Sequence, residues 1–465
     1  MKTFHRFLHI RSIQACILCA CLMGFFTGCG KVRRHPSFIL ISIDTTRVDR
    51  LGLYGNPRPV SPYLDAIGAE GLVFDQAVTV TENTLISHAS LFTGLFPEAH
   101  GTTYKENGIP LSPSYKTIAE DFLSSGLYQT AGFTAHGGWL NKKFGMDQGF
   151  QAFSSGFRSA DVVLKEAEDW YINQRDPEKP FFLFVHLFDP HSDADGRPYQ
   201  VDQPFLGRWT SDPPERFKNW DKVSPNGSQF LIAVTEGKLA LSEKEVKHIR
   251  DQYDEGLAYT DDRLGRFLAG YKNSDDLFVI ITADHGEEFM EHNYMLHSSL
   301  YDPVVRIPLI ILPPPSLNKR YKTPRRIQDQ VRIVDLRPTI LGMAGLPKPD
   351  TCQGENLVPW MTGRNKEFLS GPAPLYHHAL RWKGWKLYFL KDSFHLYDLH
   401  TDPGEQIDLI DHPGQEKRIK EMKEILQKYA EEDREIRRIF RSQKGKKPVL
   451  TAEEQEKLRS LGYIK

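Results

Sequence analysis

Three apolar runs in this chain each end on side chains that can bind a metal or move a proton. Phe38 to Ile43 runs into Asp44, and Phe181 to Val185 runs through His186 into Asp189, Pro190 and His191. Leu277 to Ile281 runs towards Asp284, His285 and Gly286. Asp44, Asp284 and His285 form a plausible ligand set for one divalent cation. Carboxylate oxygens with one imidazole suit Mg²⁺, Mn²⁺, Ca²⁺ or Zn²⁺ without choosing among them. A Ser, Thr or Cys beside such a cation is a candidate nucleophile, because coordination lowers its pKa and holds it in line. Turn chemistry accounts for Asp and Gly after any one strand. It accounts poorly for Asp after all three and His at two.

The elements that must position these groups are readable from pattern. Short apolar runs bounded by Gly, Pro and Asp predict buried strands, and near-continuous apolarity predicts a parallel sheet covered on both faces. Ligands of open α/β sheets bind at the carboxyl ends of the strands, so the three ends are expected to meet at one edge. Helices are predicted around Tyr63 to Ile67, Tyr115 to Ser125 and Val162 to Tyr171. Another runs from Ser242 to Phe267, with Ser242 and Glu245 in a capping-box pattern. Residues 195–237 lack periodicity and read as a long irregular loop that shapes a substrate site. From Leu375 the pattern changes to short aromatic segments, 376–380, 386–389 and 394–397, which predict a small antiparallel sheet. Helical spacing of Ile419, Met422, Leu426 and Tyr429 follows, and Thr451 with Glu454 caps a last short helix. The expected division is 37–345 as an α/β domain, 346–412 as an α+β subdomain and 413–465 as a charged helical end.

At 465 residues and a net charge of -1, the chain carries no basic excess that would point to nucleic acid. Lys2, Arg6 and Arg11 precede an apolar stretch, Ile13 to Phe26, that is too short to span a bilayer comfortably. Its ending, Phe26-Thr27-Gly28-Cys29, resembles the lipobox of bacterial lipoproteins. Residues 1–28 are therefore expected to be a signal peptide, Cys29 a lipidated anchor to a membrane, and 29–36 a tether. Gly30 does not resemble an inner-membrane retention signal, which points to the outer membrane. A plain secretory signal also leaves the protein outside the cytoplasm. Only Cys352 would then remain as a thiol, so no disulfide framework is expected.

One stretch extends this picture. Thr84-Leu85-Ile86-Ser87-His88-Ala89-Ser90-Leu91-Phe92-Thr93-Gly94 resembles the active-site signature of the sulfatase family, within the alkaline phosphatase superfamily. The resemblance covers most of the chain. Asp44 through Leu51-Gly52-Leu53-Tyr54-Gly55 is similar to the family's first metal segment and Asp284-His285-Gly286 to its last. Asp335 to Ile340 is similar to its late helix, and Leu396 to Glu405 to its C-terminal subdomain. The resemblance implies an alkaline phosphatase-like sandwich and one divalent metal held by Asp44, Thr84, Asp284 and His285. It also implies an anionic ester substrate, a phosphate or sulfate ester of a glycan or lipid headgroup.

The departures bear on mechanism. Formylglycine-dependent sulfatases carry Cys or Ser, then Pro two residues on and Arg four residues on; here Thr84, Ile86 and His88 stand in those places. Thr45 replaces one expected Asp, and the family's Lys and His align with Ala135 and Gly137. A formylglycine hydrate expels sulfate by collapsing to the aldehyde, whereas a threonine ester must be resolved by attack on the central atom. The set Asp44, Thr84, Asp284 and His285 also resembles threonine-dependent phosphoglycerol transferases and phosphodiesterases. The expected function is thus a hydrolase, or transferase, cleaving phosphate or sulfate esters through Thr84. A sulfuric ester hydrolase using Thr84 and a non-catalytic anionic glycan- or lipid-binding lipoprotein are the alternatives.

Thr84 is expected near the start of a helix beginning at Leu85 or Ile86, where the helix N-terminus favours anions. His88, four residues on, lies on the same helical face and is a candidate catalytic contact of Thr84 or of the transferring group. The resemblance gives His191 a substrate-binding and catalytic role and makes His297 a candidate general acid, in competition with His292. Asn107 resembles a substrate-binding position of phosphonate hydrolases, with an Asn-Gly turn as the competing explanation. Asp189 and Asp193 with His297 could assemble a second metal site.

Overall fold

The computed structural model describes residues 35–104, 108–192, 196–199, 201–224, 226–271, 274–364, 371–376, 378–440, 448–461 and 463. Residues 1–34, with the expected leader and Cys29, lie outside them, as do Asn107 and Asp193. Among the described residues no helix is long and apolar enough to cross a membrane.

The strands follow the apolar runs. In chain order they are β1 (Ser37–Ile43), β2 (Leu72–Val78), β3 (Gln129–Thr134), β4 (Ala152–Ser155), β5 (Phe181–Leu187), β6 (Leu277–Thr282), β7 (Glu288–Phe289), β8 (Met295–Leu296), β9 (Arg306–Ile307), β10 (Leu309–Leu312) and β11 (Arg325–Arg332). Nine of them form one sheet in the order β11-β2-β10-β6-β1-β5-β3-β4, with β9 on β2; β7 and β8 pair separately. The sheet is mainly parallel, with β9 and β10 the antiparallel members. The fold is thus the expected α/β class.

Residue parity explains why both faces are dry. Side chains alternate across a strand. Phe38, Leu40, Phe182, Phe184, Phe278 and Ile280 therefore fill one core, while Ile39, Ile41, Leu183, Val185, Val279 and Ile281 fill another on the opposite face. The helix Thr84–Thr93 packs Leu85, Ala89, Leu91 and Phe92 into the first core. Ser42 and His186 share the parity of that face and sit opposite one another in the β1/β5 register. The strand ends and the start of this helix are thereby brought together.

The 27-residue helix Glu243–Ala269 begins with the predicted Ser242–Glu245 capping box. The loop expected over 195–237 is not irregular throughout. It contains short helices Glu215–Lys218, Trp220–Val223 and Gly227–Thr235. Phe217, Trp220, Phe230 and Leu231 pack with Tyr253 and Phe289 as a third core. Helices of four residues are too short to show a hydrophobic period.

The small antiparallel sheet is present as β12 (Ala373–Leu375), β13 (Ala379–Trp382), β14 (Trp385–Leu390) and β15 (Ser393–Asp398). One face, through Leu380, Leu387 and Leu396, meets Met422 and Leu426 of the helix Glu416–Ile439. The other packs on Leu300, Tyr301 and Val305. Residues 36–465 form a single compact unit, so this sheet is an integral wall of the molecule. Lys386, fully buried on β14, bonds Asp302 and Glu405 at 2.7 Å each. Removing one member of a buried ion cluster strands the others' charge. Lys386→Ala is accordingly expected to destabilise the fold by about 3–5 kcal/mol in denaturant titration, whereas a loss below about 1 kcal/mol would mean that the two carboxylates are neutral or solvated.

Candidate active site

Asp44 follows β1 directly, its amide donating to Leu187 O at 2.9 Å. Asp284 and His285 lie just beyond β6. Their ligand atoms, one each from Asp44, Asp284 and His285, come within 4.8 Å of one another, and all three residues are fully buried. Thr84 joins them, its Oγ1 3.3 Å from His285 Nε2. His285 Nδ1 faces Gly286 O at 3.0 Å. A carbonyl only accepts, so the proton sits on Nδ1 and the Nε2 lone pair faces Thr84 and the carboxylates.

These groups leave an electrostatic deficit. Both oxygens of Asp44, Oδ2 of Asp284 and both nitrogens of His186 are buried without a hydrogen-bond partner. His186 Nε2 lies 3.2 Å from Asp44 Oδ2. Burial, and then the neighbouring Asp284, push the Asp44 carboxyl well above its usual range. Burial also pulls the imidazoles of His186 and His88 down to about 4, leaving them neutral, so neither supplies a positive charge to the two carboxylates. Unpaired carboxylates in such a place cost several kcal/mol each. A divalent cation is the partner that this donor set fits, with Asp44, Asp284 and His285 as ligands and Thr84 alongside.

Thr84 is the first residue of its helix, and its neighbour Asn83 is the cap, accepting from Ile86 N at 3.3 Å. The helix thus starts one residue earlier than predicted, and the hydroxyl of Thr84 is released from capping. His88 does not meet that hydroxyl. Side chains on a helix lean towards its N-terminus, so His88 Nδ1 donates to the Thr84 carbonyl at 2.8 Å while Nε2 accepts from Ser42 Oγ at 3.0 Å. Although one nitrogen comes near His186 and Asp284, both are already engaged, and His88 braces the helix start against β1.

His297 and His292 are separated cleanly. His292 bonds Glu288 at 2.6 Å and Gly404 O at 3.0 Å, stacked on Tyr301. The His297 ring stands 4.5 Å from that of His285 and 5.1 Å from that of His191. Burial would depress its pKa, but the Glu287 carboxylate 3.2 Å from Nδ1 prevails and holds it above the usual value. Asp189 is engaged at a helix start. Its carboxylate accepts from Ala160 N at 3.0 and 3.1 Å, at the start of the helix Ala160–Asp169.

His191 is near the centre, but its protons are committed. Nδ1 donates to Ser192 O at 2.8 Å, so Nε2 is an acceptor, 2.7 Å from the hydroxyl of Tyr463. The neutral ring has no proton to offer an anion. Two residues that pattern reading passed over supply donors instead. His136 follows β3; its Nδ1 accepts from Gly138 N and Trp139 N at 3.1 and 3.3 Å, which leaves a proton on a buried, unpartnered Nε2. Its signal was visible, since Gln129–Thr134 is a fourth strand ending on an imidazole. Tyr463, near the chain's end, had none.

The family model for sulfatases matches residues 36–346. The chain belongs to the sulfatase family. Within that family, the model for the C-terminal region of N-sulphoglucosamine sulphohydrolase matches residues 290–432. An arylsulfatase of Clostridium perfringens is 26% identical over 471 residues, covering 85% of this chain and 94% of its own length. An N-acetylglucosamine-6-O-sulfatase of Bacteroides thetaiotaomicron is 22% identical, covering 85% and 86%. The fold is shared with a phosphonate monoester hydrolase of Agrobacterium radiobacter (TM-score 0.67, 20% identity, 86% of this chain and 96% of that one). It is also shared with a protein solved with its substrate D-glucosamine-2-N,6-O-disulfate (TM-score 0.64, 20% identity, 86% and 99%). This sulfatase-family chain is a hydrolase of ester bonds, of the alkaline phosphatase superfamily.

The turn after Asp44 is held under tension. Thr45 adopts φ +51°, a left-handed conformation that is costly for a β-branched residue. Tyr253 clamps it, donating to Thr45 O at 2.7 Å and accepting from Arg47 N at 2.9 Å. Tyr253→Phe should lose about 1–3 kcal/mol of stability and lower metal affinity, read by calorimetric titration; unchanged affinity would detach this turn from the ligand set.

Proposed function

We propose that this chain cleaves phosphate or sulfate esters by transferring the anionic group to Thr84. The observation that carries this is the hydroxyl of Thr84, freed from capping by Asn83 and set against His285 Nε2 at 3.3 Å. Metal dependence is part of the proposal: a divalent cation held by Asp44, Asp284 and His285 would lower the pKa of that hydroxyl and offset the charge of the bound group. Thr84 Oγ, its proton released to solvent, attacks the central atom, the bond to the leaving alcohol breaks, and His297 gives that oxygen its proton. The Thr84 helix N-terminus and the Nε2–H of His136 face the anion's charge. Water then attacks the same atom, giving a proton to the now neutral His297, and the bond to Thr84 Oγ breaks, releasing the inorganic anion and a threonine oxygen that regains its proton from solvent. Such resolution suits a phosphothreonine better than a sulfothreonine, which favours phosphate or phosphonate esters over aryl sulfate. We also propose that the chain is lipid-anchored through Cys29 outside the cytoplasm; Cys29→Ala should then abolish incorporation of labelled fatty acid.

Thr84→Ala is expected to lower turnover at least a thousandfold with melting and metal content unchanged, and acid-quenched wild type should yield a covalently modified peptide containing Thr84. Turnover retained in Thr84→Ala would remove the nucleophile from the account. Chelation should abolish activity, and cation at a thousandfold excess over its Kd should add about 4 kcal/mol of stability. His297→Gln should slow esters of poor leaving groups by about 10²–10⁴-fold and activated aryl esters much less; equal slowing of both would end its assignment as general acid.

A further inference from the structure

The C-terminal segment reaches into the catalytic centre. The helix Ala452–Ser460, capped by Thr451 and Glu454, is followed by Tyr463, whose amide donates to Leu458 O at 2.9 Å. The phenol oxygen lies 2.7 Å from His191 Nε2, and burial together with the Asp44 and Asp284 carboxylates raises its pKa well above the usual value. Its ring sits 5.6 Å from His136 and 6.2 Å from His297. A group being transferred to Thr84 must lie about 3–3.5 Å from its oxygen, so the phenol borders the space that the group would fill.

We propose that Tyr463, delivered by the C-terminal helix, is a substrate-binding residue of the active site whose hydroxyl donates to an oxygen of the transferring anion. The inference rests on the reading that an anionic ester is processed beside Thr84. The tautomer of His191 assigns the phenol its role. With Nδ1 committed to Ser192 O, Nε2 accepts the phenol proton while the site awaits an anion. Rotation about the C–O bond redirects that proton to the arriving oxygen, at the cost of the hydrogen bond to His191, which the charge-assisted bond to the anion offsets. An acceptor-only imidazole thereby positions a donor for an anion that it cannot bind itself.

The segment is built as a wall, not as a loose plug. Leu450, Leu458 and Leu461 are buried, Leu458 completely. Lys143 pairs with both oxygens of Glu454 at 2.7 and 2.5 Å. Gln229 Nε2 donates to Arg459 O and Ser460 O at 2.9 and 3.2 Å, and Asn226 Nδ2 to Ser460 O at 3.3 Å. These last contacts tie the helix to the insertion after β5.

Calorimetric titration of the metal-loaded full chain with inorganic phosphate and sulfate, beside steady-state kinetics, tests the proposal. Tyr463→Phe should weaken the better-bound anion by about tenfold or more, the size of one hydrogen bond to a charged group, and lower kcat by a similar factor, with melting unchanged. Leu458→Glu, which undocks the helix, should give the same loss. Tyr463→Phe that binds the anion as tightly as wild type, or turns over faster, would overturn the proposal, the faster case marking the tail as an inhibitory plug. Thr84→Ala separates this from the nucleophile assignment: it should lose turnover while keeping anion affinity, and if it keeps turnover, the Tyr463 titration still reads its own outcome.

Discussion

The site depends on an electrostatic deficit imposed by sheet register. Parallel pairing of β1 with β5 and β6 sets Ser42 opposite His186 and Thr282, so Asp44, Asp284 and His285 emerge at one level of one edge. There they are buried, and the apolar cores on both faces keep water out. Carboxylates in such a place are tolerable only with a cation, a proton or a donor network, and the unpartnered oxygens of Asp44 and Asp284 show that protein donors do not suffice. Thr84 enters this field at a helix N-terminus. The register that builds the core therefore also assembles the site.

Several supports hold the deficit in place. Tyr253 pins the strained turn at Thr45, and Ser87 Oγ donates to the carbonyl of Asp284 at 2.9 Å. Gly286 is required because a Cβ there would run into the carbonyl oxygen of Pro303. None of these touches a substrate. Together they fix where the Asp44 and Asp284 carboxylates, His285 and the Thr84 hydroxyl point, as the proposed catalysis by preorganised charge requires.

Much of this was legible in the residues. The apolar runs located the central strands, and their terminal Asp and His residues located the edge, because period and burial leave a direct trace in sequence. The capping boxes at Ser242 and Thr451 and the aromatic strands near the C-terminus were legible for the same reason. What stayed hidden depends on side-chain direction and on long-range contact. That Asn83 caps in place of Thr84, that His88 folds back on a carbonyl and that Asp189 turns to Ala160 are choices among local hydrogen bonds. His136 carries the same strand-end signal as its neighbours, but the family resemblance places its Lys and His on Ala135 and Gly137, to either side of it. Tyr463 lies more than 270 residues from His191, and no spacing in the chain predicts their contact.

The most direct measurement is anomalous diffraction from crystals grown with Mn²⁺. The account predicts a peak within about 2.0–2.6 Å of a carboxylate oxygen of Asp44 and of Asp284 and of Nε2 of His285, with Oγ1 of Thr84 in the same coordination shell. A cation bound elsewhere, or bound here with the threonine hydroxyl turned away in the presence of a substrate analogue, would contradict it.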